Sequence, residues 1–332
     1  MEQCDIQSPS PREPDIQFPE NLLVHLETPQ QHLKRFKAEL VPLESGPYSD
    51  IYITLSKALH HGSNTYSILL TADQDIVYEA LRQRCHSSSQ LRSHKYVLLC
   101  DNSRDIRLPS GLTLQDFLPS RPRSNSTPKR RAVAIDREML GIEVSTAARK
   151  NNRTTNGGLG KLASRRIETS EIAYICAVDF LTGEILINQF VQPRGKIINW
   201  RTKHSGITSR ALREAKSSRN CLASWRAARA ELWEYVDADT ILIVHGLKHD
   251  LHGLCVAHTR IVDTSLQTAE AVFRGVELFR RVWALKDLMK ELVKVHIQSH
   301  GRQGHDCVED TLATRELALW CLQNPRKLEA WG

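Results

Sequence analysis

Apolar positions along the chain change texture near residue 131. Before it, Asp73 to Cys85 (DQDIVYEALRQRC) places Ile76, Val77, Ala80 and Leu81 at helical spacing, and Lys95 to Cys100 (KYVLLC) predicts a short strand. After it, AVAID (132–136) is an apolar run, β-branched at Val133 and Ile135, that ends on an acid. EIAYICAVDF (171–180) and EILINQFV (184–191) flank Thr182-Gly183 and predict two strands joined by a tight turn. Leu222 to Val236 predicts an amphipathic helix, ILIV (241–244) a fourth strand and TRIVD (259–263) a fifth. Trp283 to Val293 and Asp306 to Leu322 predict further helices. Three strands in a meander, followed by strands alternating with helices, imply an α/β fold with a mixed sheet covered by helices.

These patterns divide the chain. Residues 1–18 are expected to form a flexible leader and 19–117 a globular N-terminal region with no catalytic constellation. Residues 118–131 (LPSRPRSNSTPKRR) read as a basic Pro/Ser-rich linker, 132–324 as the main domain and 325–332 as a tail. The 332 residues are enough for two domains. The absence of a long apolar run or an apolar leader predicts an intracellular protein with no membrane span. Eight scattered cysteines without a Cys-x-x-Cys pair suit a reducing compartment, where they act as small buried apolar side chains. Lys129-Arg130-Arg131 could serve as a nuclear import signal or simply as a solvated basic end. The net charge of +7 is unevenly spread: Ser145 to Glu168 holds six basic residues against one acid.

Three segments carry candidate chemistry. In Asp136-Arg137-Glu138, residues i and i+2 of a strand project from one face, so two carboxylates aim at one point. Their repulsion, worsened by burial, is resolved by a divalent cation, although Asp-x-Glu alone is commonly a surface pair. Asp250 is expected in the first turn of the helix that follows ILIV, near the carboxyl ends of the strands, and alone could be a solvated helix residue. In GHDCVEDTLAT (304–314), His305 stands at the mouth of the last helix and Asp310 on it. Asp306 and Glu309 are neighbouring acids of the kind that favour a helix N-terminus for its dipole. His245 and His249 have i,i+4 spacing, but Gly246 stands where a zinc protease helix needs Glu, so they are expected to be ordinary helix-start histidines.

Together, AIDREMLG (134–141), WRTKHSGIT (200–208), HGLKHDL (245–251), TRIVDT (259–264) and GHDCVEDTLATRE (304–316) resemble the DEDDh 3′→5′ exonucleases. Among these, the Rex-type RNA exonucleases of the fungal branch are most similar. CHSSSQLRSHKYVL (85–98) is similar to a segment that precedes the nuclease domain in fungal members. The resemblance implies an RNase H-like mixed five-stranded sheet flanked by helices, preceded by a smaller, mainly helical region. It implies that Asp136, Glu138, Asp250 and Asp310 hold two Mg²⁺ or Mn²⁺ ions and that His305 is the general base. Met139 and Leu140 would hold the terminal nucleotide, and Ser205 and Gly206 would lie near the substrate cleft. The implied substrate is the 3′ end of single-stranded RNA, with DNA as an open alternative, and the implied location is the nucleus. Arg149 and Lys150, in a basic insertion at 145–168, would overhang the cleft and grip phosphates, or else lie in a solvated insertion. Arg137 replaces the Cys usual between the first two acids, and His249 the usual Asn. These departures keep a second reading open, a non-catalytic module of the same fold that binds nucleic acid or protein.

Overall fold

The computed structural model describes residues 40–42, 51–54, 58–98, 108, 111–124, 129–147 and 164–331, apart from 247, 277 and 280. The leader and most of the basic insertion, including Arg149 and Lys150, lie outside the described residues.

The central sheet is mixed and seven-stranded. Its five long-range components are those expected: β6 (Ala132–Ala147), β7 (Ser164–Asp179), β8 (Ile185–Val191), β11 (Ile241–Val244) and β13 (Ile261–Asp263). Two short strands complete it: β9 (Lys196–Asn199), antiparallel to β6, and β10 (Cys221–Leu222), parallel to β8. β6, β7 and β8 form the antiparallel meander, and β11 and β13 continue parallel to β6. β6 and β7 run far beyond the expected runs as a ribbon paired from Val133–Asp179 to Ala147–Ser164.

Alternation along β6 assigns its faces. Val133 and Ile135 enter the core that includes α5 (Trp225–Leu232) and Leu251 and Leu254 of α6 (Lys248–Leu254). Ala132 and Ala134 face the core shared with Ala318, Leu319 and Leu322 of α9 (Cys307–Gln323). Small side chains at 132 and 134 let α9 approach the sheet closely. Asp136 and Glu138 continue that alanine face, so the strand's own period aims both carboxylates toward α9. The expected helix at 222–236 starts three residues later because Cys221 and Leu222 pair with β8. The helix expected at 283–293 is α8 (Leu285–Leu288), continued by a π-helical turn, Met289–Val293, and it follows α3 (Thr202–Ser205), α4 (Ser209–Ser217) and α7 (Thr264–Val272) in the chain.

The N-terminal region supplies more than helices. β1 (Leu40–Pro42), β2 (Ile51–Thr54), β3 (Ala58–His61) and β4 (Asn64–Ser67) form an antiparallel sheet, followed by α1 (Thr71–Gln83) and α2 (Ser88–Ser93). Leu59 and Tyr66 pack with Cys307, Val308 and Leu312 of α9. Tyr96 donates to Asp263 Oδ2 at 2.6 Å at the end of β13. The described part of KYVLLC is not a strand: Tyr96, Val97 and Leu98 are buried in irregular backbone, which a short apolar run alone cannot distinguish from a strand.

The expected linker is partly bound down. β5 (Leu118–Pro119) pairs with β12 (Val256–Ala257). Lys129 donates to Glu234 O at 2.8 Å, Arg130 pairs with Asp179 and Glu184, and Arg131 pairs with Asp75. Within the expected tail, α10 (Pro325–Trp331) buries Leu328 against the core of α8 and α9. No helix among the described residues is long and apolar enough to cross a membrane.

Candidate active site

Glu138, His305 and Asp310 each offer a ligand atom, and these atoms lie within 4.8 Å of one another. Glu138 comes from β6, His305 from the segment before α9, and Asp310 from the first turn of α9. Asp136 joins them electrostatically: burial and the nearby Asp310 charge push its carboxyl up from 3.8 to about 7. Glu138 is raised further, by burial and by the charges of Asp136 and Asp310. Such crowding penalises ionised carboxylates in the absence of a counter-charge. An oxygen-rich set with one imidazole fits a hard divalent cation.

His305 Nδ1 lies 3.4 Å from Asp310 Oδ2, and this contact raises the imidazole pKa despite partial burial. The backbone position of His305 depends on two glycines. Gly206 (φ +65°) and Gly304 (φ +87°) face each other so closely that a Cβ on Gly304 would strike Thr202 O, and one on Gly206 would strike His305 O. Both positive φ values suit glycine. The resulting close approach lets His305 N donate to His204 O at 2.9 Å.

The remaining expected site residues take different places. Ser205 is buried, and its hydroxyl is used within its own turn, donating to Trp200 O and accepting from Ile207 N. Ser205 and Gly206 do line a cavity of about 340 Å³ that reaches Glu138 and His305 and has Tyr174 and Phe190 in its wall. Met139 packs partly buried against the α6 core, whereas the Leu140 side chain is fully buried with Ala173, Phe190 and Ile207. A side-chain contact from Leu140 to substrate is therefore blocked by its own core packing. Asp250 lies in the first turn of α6, as expected, but its side chain is outside the described residues. Arg137 faces away from Asp136 along the strand, and burial pulls its pKa down to about 10, opposed by the charges of Asp136 and Glu138. His245 uses both ring nitrogens, with Thr264 Oγ1 at 2.8 Å and Trp283 O at 3.1 Å, in keeping with a structural histidine.

The neighbouring acids have structural partners. Asp306 caps α9 through the amides of Val308 and Glu309. Glu309 accepts from Gln298 N at 2.7 Å and from Asn64 Nδ2 at 3.0 Å. The carboxamide of Gln298 reaches Asp310 itself. Sequence reading missed Gln298 and Asn64, because neither stands in a motif and each meets its acid only through tertiary folding.

Comparison with known proteins matches residues 133–318, more than half of the chain, to the family model described as Exonuclease (RNase_T). RNA exonuclease 3 of Candida albicans is 27% identical over 244 residues, covering 74% of this chain and 50% of that protein. RNA exonuclease 4 of Saccharomyces cerevisiae is 31% identical over 147 residues, covering 44% of this chain and 46% of that protein. The chain thus spans about half the length of these two relatives. Among solved structures, the Neurospora crassa Pan2 catalytic unit aligns with 73% of this chain and 34% of its own, at TM-score 0.46 and 19% identity.

Proposed function

Because the chain belongs to the exonuclease family, we propose that it is a metal-dependent 3′→5′ exoribonuclease that releases nucleoside 5′-monophosphates from single-stranded RNA. The observation that carries this reading is the meeting of Glu138, His305 and Asp310 within 4.8 Å, with Asp136 raised beside them. That the relatives are RNA exonucleases 3 and 4 supports RNA as the substrate.

Asp136, Glu138 and Asp310, with Asp250 from α6, would hold two Mg²⁺ or Mn²⁺ ions. Bound there, the ions would supply an acidified water and charge stabilisation for the attacking and leaving oxygens. His305 would keep a proton on Nδ1 toward Asp310 and accept the water proton at Nε2. The aromatic-walled cavity at Ser205–Ile207 provides space for substrate beside Glu138 and His305. Nuclear residence, expected from the resemblance and the basic linker, would draw on Lys129, Arg130 and Arg131; Arg130 and Arg131 pair with Asp179 and Asp75 while staying about one-third exposed.

The test is degradation of a 5′-labelled single-stranded RNA with Mg²⁺, Mn²⁺ or EDTA. Shortening from the 3′ end, abolished by EDTA, by Asp136→Ala and by His305→Ala, is the expected result. Intact RNA under both metals, with binding retained in a gel shift, would replace this reading with the non-catalytic one.

A further inference from the structure

The β3–β4 hairpin reaches the acids at the N-terminus of α9 through the two residues that flank its turn. His61 Nε2 lies 2.8 Å from Asp306 Oδ2, while Asp306 Oδ1 accepts from Val308 N at 2.9 Å and Glu309 N at 3.3 Å. One carboxylate therefore joins the hairpin to the first turn of α9. On the other side of the turn, Asn64 Nδ2 donates to Glu309 Oε1 at 3.0 Å and to His296 O at 3.1 Å. Glu309 Oε2 accepts from Gln298 N at 2.7 Å, and the Gln298 carboxamide donates to both oxygens of Asp310.

The hairpin is also anchored behind its tip. Ser67 donates through its amide and its hydroxyl to Glu316 at 2.9 and 2.6 Å, and its carbonyl accepts from Arg315. With Leu59 and Tyr66 in the core beside Cys307 and Leu312, its placement against α9 is fixed along several turns.

We propose that residues 58–67 form a built-in brace of the nuclease centre, with His61 and Asn64 as positioning residues. Asp306, Glu309 and Asp310 crowd one helix end opposite Asp136 and Glu138, and like charges at this density push the side chains apart. His61 fixes Asp306 and with it the direction in which His305 leaves the helix. Asn64 fixes Glu309 and the 296–298 backbone, from which Gln298 holds Asp310. A displacement of about 1 Å at a reacting group costs roughly a hundredfold in rate, so small losses of register here should appear in turnover. This inference rests on the exonuclease reading for its kinetic consequence, but not for its structural one.

The experiment uses the full chain with His61→Ala, His61→Gln and Asn64→Ala. Thermal unfolding establishes the folded fraction, steady-state cleavage of labelled RNA gives kcat and KM, and hydrogen–deuterium exchange covers residues 305–322. His61→Ala is expected to lower kcat by about ten- to a hundredfold with KM changed by less than about twofold. His61→Gln, which keeps a donor toward Asp306, should recover much of the loss. Exchange at 305–311 should rise in both alanine variants, with 313–322 unchanged. A loss matched by the unfolded fraction, a loss carried by KM, or no recovery with Gln would each overturn the brace. If the wild type cleaves no RNA, the exonuclease reading fails separately. The exchange pattern then decides the brace alone, and unchanged protection at 305–311 rejects it.

Discussion

Gln298 Nε2 lies 3.0 Å from Asp310 Oδ1 and 3.1 Å from Oδ2, so one neutral amide spans both oxygens of a carboxylate expected to bind metal. The near-equal distances place the nitrogen midway between the two oxygens, so it holds both at once. Gln298 adopts φ +55° and donates its backbone amide to Glu309, so its own position is held at two points. Partners that orient a ligand in this way commonly account for about ten- to a hundredfold in metal affinity. Gln298→Leu removes the donors at similar size and should weaken Mn²⁺ binding about tenfold. Calorimetric titration of the folded variant checks this; affinity equal to wild type would assign the amide no orienting role.

A second expectation concerns pH and metal together. Asp136 is held at about 7 in the folded protein, against an ordinary 3.8, by burial and the charge of Asp310. Between these values the folded state keeps a proton that the unfolded state has released, so stability without metal falls as pH rises through this window. A divalent cation supplies the missing counter-charge and binds the deprotonated carboxylate more readily at higher pH. The rise in Tm on replacing EDTA with Mg²⁺ or Mn²⁺ should therefore be greater at pH 7 than at pH 5. Equal shifts at both pH values would contradict the assignment of Asp136 to the metal site.

Arg315 offers a stability test away from the chemistry. It is fully buried, donating through Nε to Phe180 O at 2.8 Å and through Nη1 to Ser67 O at 2.7 Å. It thus ties α9 to the turn between β7 and β8 and to the N-terminal hairpin. Arg315→Met fills much of the space but leaves two carbonyls without these donors, each costing roughly 1–3 kcal/mol when buried. A total loss of about 3 kcal/mol, seen as a lower urea midpoint at unchanged m-value, is expected. A midpoint within error of wild type would mean that water or a shifted neighbour replaces both bonds.

These cases show why part of the molecule was readable from sequence and part was not. ILIV and EIAYICAVDF announce β11 and much of β7 because buried strands need apolar runs, whatever their partners. Asp136 and Glu138 were readable as a pair because period two is a local property of a strand. His305 and Asp310 were identified by resemblance, and the structure brings them to Glu138. By contrast, His61 meets Asp306 across 245 positions of sequence, and Gln298 reaches Asp310 only through an irregular loop. Neither contact leaves a periodic trace. β6 beyond Asp136 does carry alternating apolar residues at Leu140, Ile142 and Val144, and its length follows from pairing with both β7 and β9. Leu140 is expected to hold the terminal nucleotide from its place beside the motif, whereas the burial of its side chain with Ala173, Phe190 and Ile207 is a product of tertiary packing.

The last expectation concerns the basic insertion, whose flanks are paired strands and whose centre lies outside the described residues. β6 and β7 pair out to Ala147 and Ser164, so the intervening segment departs from the end of the ribbon whose other part carries Asp136 and Glu138. Residues 148–163 contain Arg149, Lys150, Arg153 and Lys161 and no acid. If these cations neutralise phosphates upstream of the scissile bond, each contact contributes about 0.7 to the slope of log affinity against log salt on a single strand. Replacing 148–163 with a short Gly-containing turn leaves the described ladder intact and should weaken binding of a long single-stranded RNA while flattening its salt dependence by about 1 to 3 units. A dinucleotide substrate, too short to reach the insertion, should be cleaved at the wild-type rate. Unchanged affinity and unchanged slope for the long RNA would mark the insertion as solvated and leave substrate binding to the cleft residues.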